Sequence, residues 1–143
     1  VAVGEAGVLL RGPSGAGKSD LALRLLWTRP PSEWPQHNVL LVADDQVLLR
    51  TTRDAVIGKA PTALRGLLEV RGIGILEMPA RADVAIRLVV DLVPSAQVAR
   101  LPEEHDMVEI MGQALPHLRL AGLEPSAPIK VLLALRRLVA PPA

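Results

Sequence analysis

The sequence of 143 residues suits a single compact domain, and half of its residues are apolar. Two tryptophans are its only aromatic residues, so the composition does not favour a base-stacking surface for single-stranded nucleic acid. The net charge is +1 and there is no cysteine, so nothing in the totals points to nucleic acid, a membrane surface, disulfides or thiolate chemistry, and a cytoplasmic protein is expected.

The first predicted elements surround a glycine-rich segment. Residues 7–11 form a short apolar run that predicts a buried strand, and residues 4–7 predict a hairpin connection from a preceding strand. Apolar residues recur at helical spacing after the glycines, so residues 18–27 predict an amphipathic helix. Three prolines make residues 28–38 a predicted surface loop.

The rest of the chain continues to alternate between strands and turns. Further apolar stretches predict strands at residues 39–43, 47–51, 55–59, 75–78, 85–92, 108–111 and 117–120. Pro61 predicts a short helical piece that extends to about residue 68, and Ser126 predicts the cap of a final helix with Pro128 in its first turn. The whole pattern predicts one α/β domain with a mixed sheet flanked by helices. Because the sequence begins with Val1, the natural chain can extend upstream.

The strongest motif lies between the first clear strand and the first helix. It reads Gly12-Pro13-Ser14-Gly15-Ala16-Gly17-Lys18-Ser19, which has the spacing of a Walker A phosphate-binding loop. Glycines let successive backbone N–H groups point inward at phosphate oxygens, and the helix N-terminus adds a positive dipole end. Lys18 is placed to reach the β- and γ-phosphates of ATP, and the Ser19 hydroxyl to ligate Mg²⁺. A plain glycine-rich turn is the alternative.

Two adjacent aspartates follow the next predicted strand. Asp44 and Asp45 come directly after the apolar residues 40–43, at the strand end where ligands bind in open α/β sheets. A P-loop requires a carboxylate from a neighbouring strand to position Mg²⁺ or to activate the nucleophile. Adjacent acids point in different directions, so one can address the metal and the other a substrate hydroxyl. An acidic turn is the alternative interpretation.

Three sequence blocks resemble the bacterial HPr kinase/phosphorylase family. They are residues 12–23, residues 41–45 and residues 68–75, and the last contains Glu69-Val70-Arg71-Gly72-Ile73-Gly74, which is similar to the signature of the family. The resemblance implies an α/β fold of the HPr kinase/PEP carboxykinase type, built on a P-loop. It also implies an ATP-dependent kinase that phosphorylates a seryl hydroxyl of HPr, a phosphocarrier of the sugar phosphotransferase system, and in many members the reverse phosphorolysis.

The resemblance also implies roles for individual residues. The phosphate loop would bind ATP, Ser19 and Glu69 would hold Mg²⁺, and Asp45 would be the base that takes the seryl proton. Asp44 would assist beside it. Arg71 would lie in the segment associated with both directions of transfer, and Arg100 resembles a further functional arginine. Surface ion pairing of Glu69 and Arg71, and a solvated loop charge at Arg100, are the alternatives.

The sequence departs from the typical family pattern in several places. The separate N-terminal domain of typical members is absent from it, as in the short form of some proteobacteria, and the functional histidine of the family would fall upstream of Val1. None of His37, His105 and His117 replaces that histidine. The Pro-Gly-Arg-Asn-like segment linked to phosphorolysis is not recognisable. Kinase activity is therefore better supported than the reverse reaction. The family also implies a homo-oligomer, commonly a hexamer.

Two other functions remain open at this point. A P-loop kinase of a small metabolite would use the same phosphate loop, and a nucleotide-binding regulator without catalytic activity would keep Lys18 and Ser19. The regulator would not require Asp45 and Glu69 to be aligned for transfer. No partner among nucleic acids or membranes is predicted.

Overall fold

The computed structural model describes residues 1–29 and 38–139. The described residues contain two α-helices, α1 (Lys18–Trp27) and α2 (Ala127–Val139). They also contain two short 3-10 turns, at Thr62–Leu64 and Ser95–Gln97. In chain order the strands are β1 (Ala2–Val3), β2 (Ala6–Arg11), β3 (Val39–Leu40), β4 (Leu48–Thr51), β5 (Val56–Lys59), β6 (Leu67–Val70), β7 (Gly74–Glu77), β8 (Asp83–Leu92), β9 (Met107–Ile110) and β10 (Gln113–Leu120). No helix within the described ranges is long and apolar enough to cross a bilayer.

The main sheet has the strand order β3-β1-β2-β8-β10-β9. Strand β8 is parallel to β2 on one side and to β10 on the other, and its first residues also pair antiparallel with β5, which carries β4. Strand β1 is antiparallel to both β2 and β3, so β3 runs in the same direction as β2. The carboxyl ends of β3, β2, β8 and β10 therefore lie along one edge of the sheet.

Both helices pack on the same face of this sheet. The core on that face joins the buried side chains of α1 and α2 to those of three parallel strands, namely Val8, Leu21, Leu25, Leu88, Val90, Leu92, Leu120, Val131 and Leu135. The opposite face is covered by a second apolar cluster, to which β5, β9 and β10 contribute Val56, Ile110 and Leu115. Leu, Val, Ile and Ala fill both layers, as the nearly aromatic-free composition requires.

Most predicted elements are confirmed within one or two residues, including the mixed α/β sheet and its helices. Three expectations are corrected, and the first is that the strand predicted for residues 117–120 already begins at Gln113. The strand predicted for residues 39–43 is shorter in the structure, where β3 ends at Leu40. The next residue, Leu41, pairs with Ala80 in an isolated β-bridge. The helical piece predicted from Pro61 to residue 68 is limited to Thr62–Leu64, because Leu67 already begins β6 of a separate hairpin. Most of the predicted loop, residues 30–37, lies outside the described residues.

Candidate active site

The glycine-rich loop connects β2 to α1 at the carboxyl edge of the sheet. Gly15 and Gly17 have φ angles of 82° and 94°, left-handed values that glycine adopts without the strain of a side chain. A Cβ on Gly15 would meet no atom within 4 Å, so the loop is open on its outer side. Because α1 begins at Lys18, the first N–H groups of the helix lack intrahelical partners and point toward this opening. The loop is suited to an anion.

Lys18 folds back across its own loop. Its Nζ donates to the carbonyl oxygens of Gly12 at 2.5 Å and of Pro13 at 3.2 Å. Within the described part of the chain no carboxylate forms a salt bridge with this ammonium group. The positive charge of Lys18 is therefore held at the loop opening and is available to a phosphate.

Asp44 links the glycine-rich loop to a neighbouring hairpin. Its Oδ1 accepts a hydrogen bond from Ser19 Oγ at 2.8 Å, and its Oδ2 accepts one from the backbone N–H of Glu69 at 3.1 Å. The chain just before Asp44 is fixed by two backbone bonds, from Leu41 N to Pro79 O and from Arg81 N to Leu41 O. This anchoring holds the Asp44 carboxylate in place beside Ser19.

A cleft brings together four of the predicted site residues. Lys18, Ser19, Asp44 and Asp45 line it, with the apolar floor supplied by strands β2, β5 and β8. The Asp45 side chain is exposed, so its carboxylate is accessible from the cleft. An acceptor hydroxyl in this cleft would meet a charged loop on one side and two carboxylates on the other.

Glu69, Arg71 and Arg100, the predicted site residues outside the glycine-rich loop and the acid pair, do not line this cleft. Glu69 lies on β6 with an exposed side chain, and its contact to the acid pair is made by its backbone. Arg71 lies in the exposed turn between β6 and β7, and Arg100 in the exposed segment between β8 and β9. The catalytic roles of Glu69, Arg71 and Arg100 stay predictions.

The donor atoms at Ser19 and Asp44 fit a magnesium ion. No three His, Cys, Asp or Glu side chains in residues 1–29 and 38–139 converge as a metal site. Mg²⁺ commonly takes only one or two carboxylates and completes its shell with phosphate oxygens and water. The hydroxyl of Ser19 and the carboxylate of Asp44 are hard oxygen donors already 2.8 Å apart, and this pair suits such a shared ion.

A charged network that the sequence did not reveal lies on the sheet face opposite the helices. Arg11 and Asp91 are register partners on β2 and β8, and the Arg11 guanidinium donates to both Asp91 oxygens at 2.7 and 2.8 Å. His117 Nε2 lies 2.7 Å from Asp91 Oδ2, and Arg119 donates to Asp106 at 2.8 Å beside the His117 ring. The sequence offers one indication of this network, namely that ionisable residues stand near the ends of apolar strands.

Replacing Asp91 with asparagine should reduce the free energy of unfolding by about 1–2 kcal/mol at pH 7, because a bidentate charge-assisted contact is lost at a partly exposed site. Hydrogen bonding from Arg11 holds the pKa of the Asp91 carboxyl below its ordinary value of 3.8. This stabilisation is present above the unfolded-state pKa and is lost as the pH falls through the lower folded-state pKa. Urea titrations at a series of pH values measure both effects.

Asp83→Asn is the matched control for this prediction. Asp83 lies on the same strand, but its contact to Arg50 is 3.4 Å long and both side chains are about half exposed. This control should change stability by less than about 0.5 kcal/mol. An equal decrease in the free energy of unfolding of both variants would show that the Arg11–Asp91 pair stabilises the fold no more than the exposed Arg50–Asp83 pair does.

The sequence of this chain is similar to those of known proteins. The chain matches the family model of the HPr Serine kinase C-terminal domain over residues 1–134. It is 40% identical over 116 residues to proteins named HPr kinase/phosphorylase from Burkholderia cenocepacia (strain HI2424) and Paraburkholderia phymatum. These overlaps cover 74% of this chain and 33% of each relative, so the chain spans about a third of the length of the curated relatives it matches.

A solved structure shares the fold. The structure described as the Hpr(Ser) kinase/phosphatase from Coxiella burnetii matches with a TM-score of 0.74. The match covers 94% of this chain and 84% of that chain, at 24% sequence identity. The shared fold confirms the mixed α/β architecture predicted from the sequence.

Proposed function

Because this chain belongs to the family of the HPr Serine kinase C-terminal domain, we propose that residues 1–143 form a P-loop kinase domain that transfers a phosphoryl group from ATP to a serine of an HPr-like phosphocarrier protein. The hydrogen bond of 2.8 Å between Ser19 and Asp44 is the main support. It joins the glycine-rich loop to the acid pair, so a phosphate donor bound to the loop and a base at Asp45 would meet in one cleft.

Binding of ATP is assigned to the loop of residues 12–19. Its backbone N–H groups and the N-terminus of α1 would hold the phosphates, and Lys18 would add a point charge at the β- and γ-phosphates. Phosphoryl transfer depends on alignment and charge neutralisation more than on covalent help from the protein. A loop fixed between β2 and α1 would supply that alignment.

Mg²⁺ is proposed to be held by Ser19 together with Asp44, and by Glu69 as the family resemblance implies. When bound, Mg²⁺ neutralises phosphate charge. The exposed carboxylate of Asp45 would accept the seryl proton as the hydroxyl oxygen attacks the γ-phosphorus. The bond between that phosphorus and the β–γ bridging oxygen would break, and ADP would leave. Arg71, in the turn between β6 and β7, and Arg100, in the segment between β8 and β9, are proposed to act on phosphate charge.

The partner and the setting follow from the same proposal. The protein substrate would be an HPr-like carrier, and the location cytoplasmic. A homo-oligomer, a hexamer by family resemblance, and the reverse phosphorolysis remain predictions from the sequence. No nucleic-acid or membrane partner is proposed.

Incubation of the protein with γ-labelled ATP, Mg²⁺ and HPr-like carriers tests this function. We expect label to appear on the carrier, and none on a carrier whose acceptor serine is replaced by alanine. ATP binding without any labelled product would indicate a nucleotide-binding regulator. Label that appears on a metabolite hydroxyl but not on the carrier would indicate a small-molecule kinase, and either result would contradict the proposal.

A further inference from the structure

The connection between β10 and α2 lies directly against the phosphate loop. Strand β10 is parallel to β8, which is parallel to β2, so the segment that follows β10 emerges beside the loop that follows β2. Gly122 is buried there, and a Cβ on it would be 2.9 Å from the carbonyl oxygen of Ala16. A Cβ on Gly17 would be 2.7 Å from Leu123 Cδ2. Residues 122–123 thus form a wall in van der Waals contact with the phosphate loop.

Arg24 fixes this wall to helix α1. Its guanidinium donates to the carbonyl oxygen of Glu124 at 2.9 Å and to that of Gly122. The Nε of Arg24 also donates to Asp20 at 2.8 Å, one turn earlier on the same helix. Because α1 begins at the phosphate loop, the wall and the loop are held as one unit.

Leu123 is an apolar side chain that this rigid wall presents to solvent. It is 68% exposed, although its Cδ2 contacts the loop at Gly17. Trp27, with a similar exposure, lies at the far end of α1, about 13 Å from Lys18 along the helix axis. Leu123 is therefore the exposed apolar group that the structure fixes beside the phosphate loop on its β10 side.

The direction of phosphoryl transfer decides what this side of the loop receives. Attacking and leaving oxygens lie roughly in line on opposite sides of the transferred phosphorus. Asp44 and Asp45 follow β3, on one side of β2 in the sheet order, and residues 122–124 follow β10, on the other side. An acceptor hydroxyl near Asp45 thus requires the leaving nucleoside diphosphate to extend away from the acid pair, toward Leu123.

We infer that residues 122–124 form the nucleobase wall of the ATP site and that the purine face packs on Leu123, an inference that rests on the proposed function. An aliphatic side chain buries the flat face of a purine, and loops at the carboxyl ends of parallel strands are where such ligands bind. The phosphate loop holds the phosphates, and Leu123 adds affinity only for a ligand that carries a base.

Two ligands separate these contributions. Binding of Mg-ATP and of inorganic tripolyphosphate with Mg²⁺ is measured by calorimetry for the wild-type protein and for Leu123→Ala. We expect the alanine variant to bind ATP about tenfold more weakly and tripolyphosphate unchanged, because only the base loses its apolar contact. Leu123→Met keeps an apolar side chain of similar size, so it should retain ATP affinity close to that of the wild-type protein.

Leu133→Ala is the matched control, since Leu133 is about half exposed on α2 and should leave both affinities unchanged. Equal weakening of both ligands in Leu123→Ala would show that Leu123 only supports the loop, and would overturn the inference. Unchanged ATP binding in that variant would overturn it as well. If the wild-type protein bound neither ATP nor tripolyphosphate, the proposed function itself would fail, and the inference with it.

Discussion

Replacing Lys18 with alanine should abolish phosphoryl transfer and weaken Mg-ATP binding by about 10- to 150-fold. Lys18 supplies the only side-chain cation of residues 12–19, and its Nζ is held over the loop by two carbonyl oxygens. Loss of a charge-assisted hydrogen bond of this kind corresponds to about 1.5–3 kcal/mol. Calorimetry with Mg-ATP measures the affinity, and transfer of labelled phosphate to the carrier measures the activity.

Lys59→Ala provides the comparison for this variant. Lys59 is an exposed lysine at the end of β5, and its removal changes the net charge by the same amount. It should leave affinity and transfer close to those of the wild-type protein. Wild-type affinity and turnover in Lys18→Ala would refute the assignment of residues 12–19 as the ATP-binding loop.

Replacing Asp45 with asparagine should slow phosphoryl transfer by about 10²- to 10⁴-fold, the usual contribution of a positioned general base. The change preserves size and removes basicity. Asp45 is exposed at the cleft and makes no contact to the phosphate loop comparable to that of Asp44. Nucleotide affinity should therefore change little. Steady-state labelling of the carrier, together with calorimetry for Mg-ATP, separates the two quantities.

Asp44→Asn is the matched variant, with the same chemical change one residue away. Both carboxylate oxygens of Asp44 already accept hydrogen bonds, from Ser19 and from the backbone of Glu69. We expect this variant to disturb metal or carrier positioning, with a smaller or mixed effect on transfer and on nucleotide affinity. Normal transfer by Asp45→Asn with loss in Asp44→Asn would reverse the two roles. Full activity in both variants would exclude a kinase site of the proposed kind.

The elements that position the loop could be predicted because their signals are local. Strand β2 is a largely apolar run that a glycine-rich loop follows, and α1 has apolar residues at helical spacing. Adjacent residues therefore indicate each boundary. The segment after Pro61 was harder, since Leu67 and Leu68 fit a helix as well as a strand. Their strand state depends on the turn at residues 71–73, which lets β7 fold back onto β6.

The contacts within the site could not be derived in the same way. Ser19 and Asp44 are 25 residues apart, and their hydrogen bond depends on the position of β3 across β1 from β2. The contacts of Arg24 span 98 and 100 residues and end on carbonyl oxygens, which every residue possesses. Side-chain type therefore identified the loop and the acid pair, whereas backbone partners required the folded chain.

The order of strands also has a consequence for synthesis of the chain. Strand β2 leads into the glycine-rich loop, and its inner partner β8 comes much later, since Arg11 and its register partner Asp91 are 80 residues apart. A ribosome needs about 4–16 s to add that many residues. During this interval one edge of the apolar strand β2 has no partner, which makes it open to pairing with other chains. The glycine-rich loop is therefore synthesised early, whereas β8, which pairs with β2, is synthesised much later.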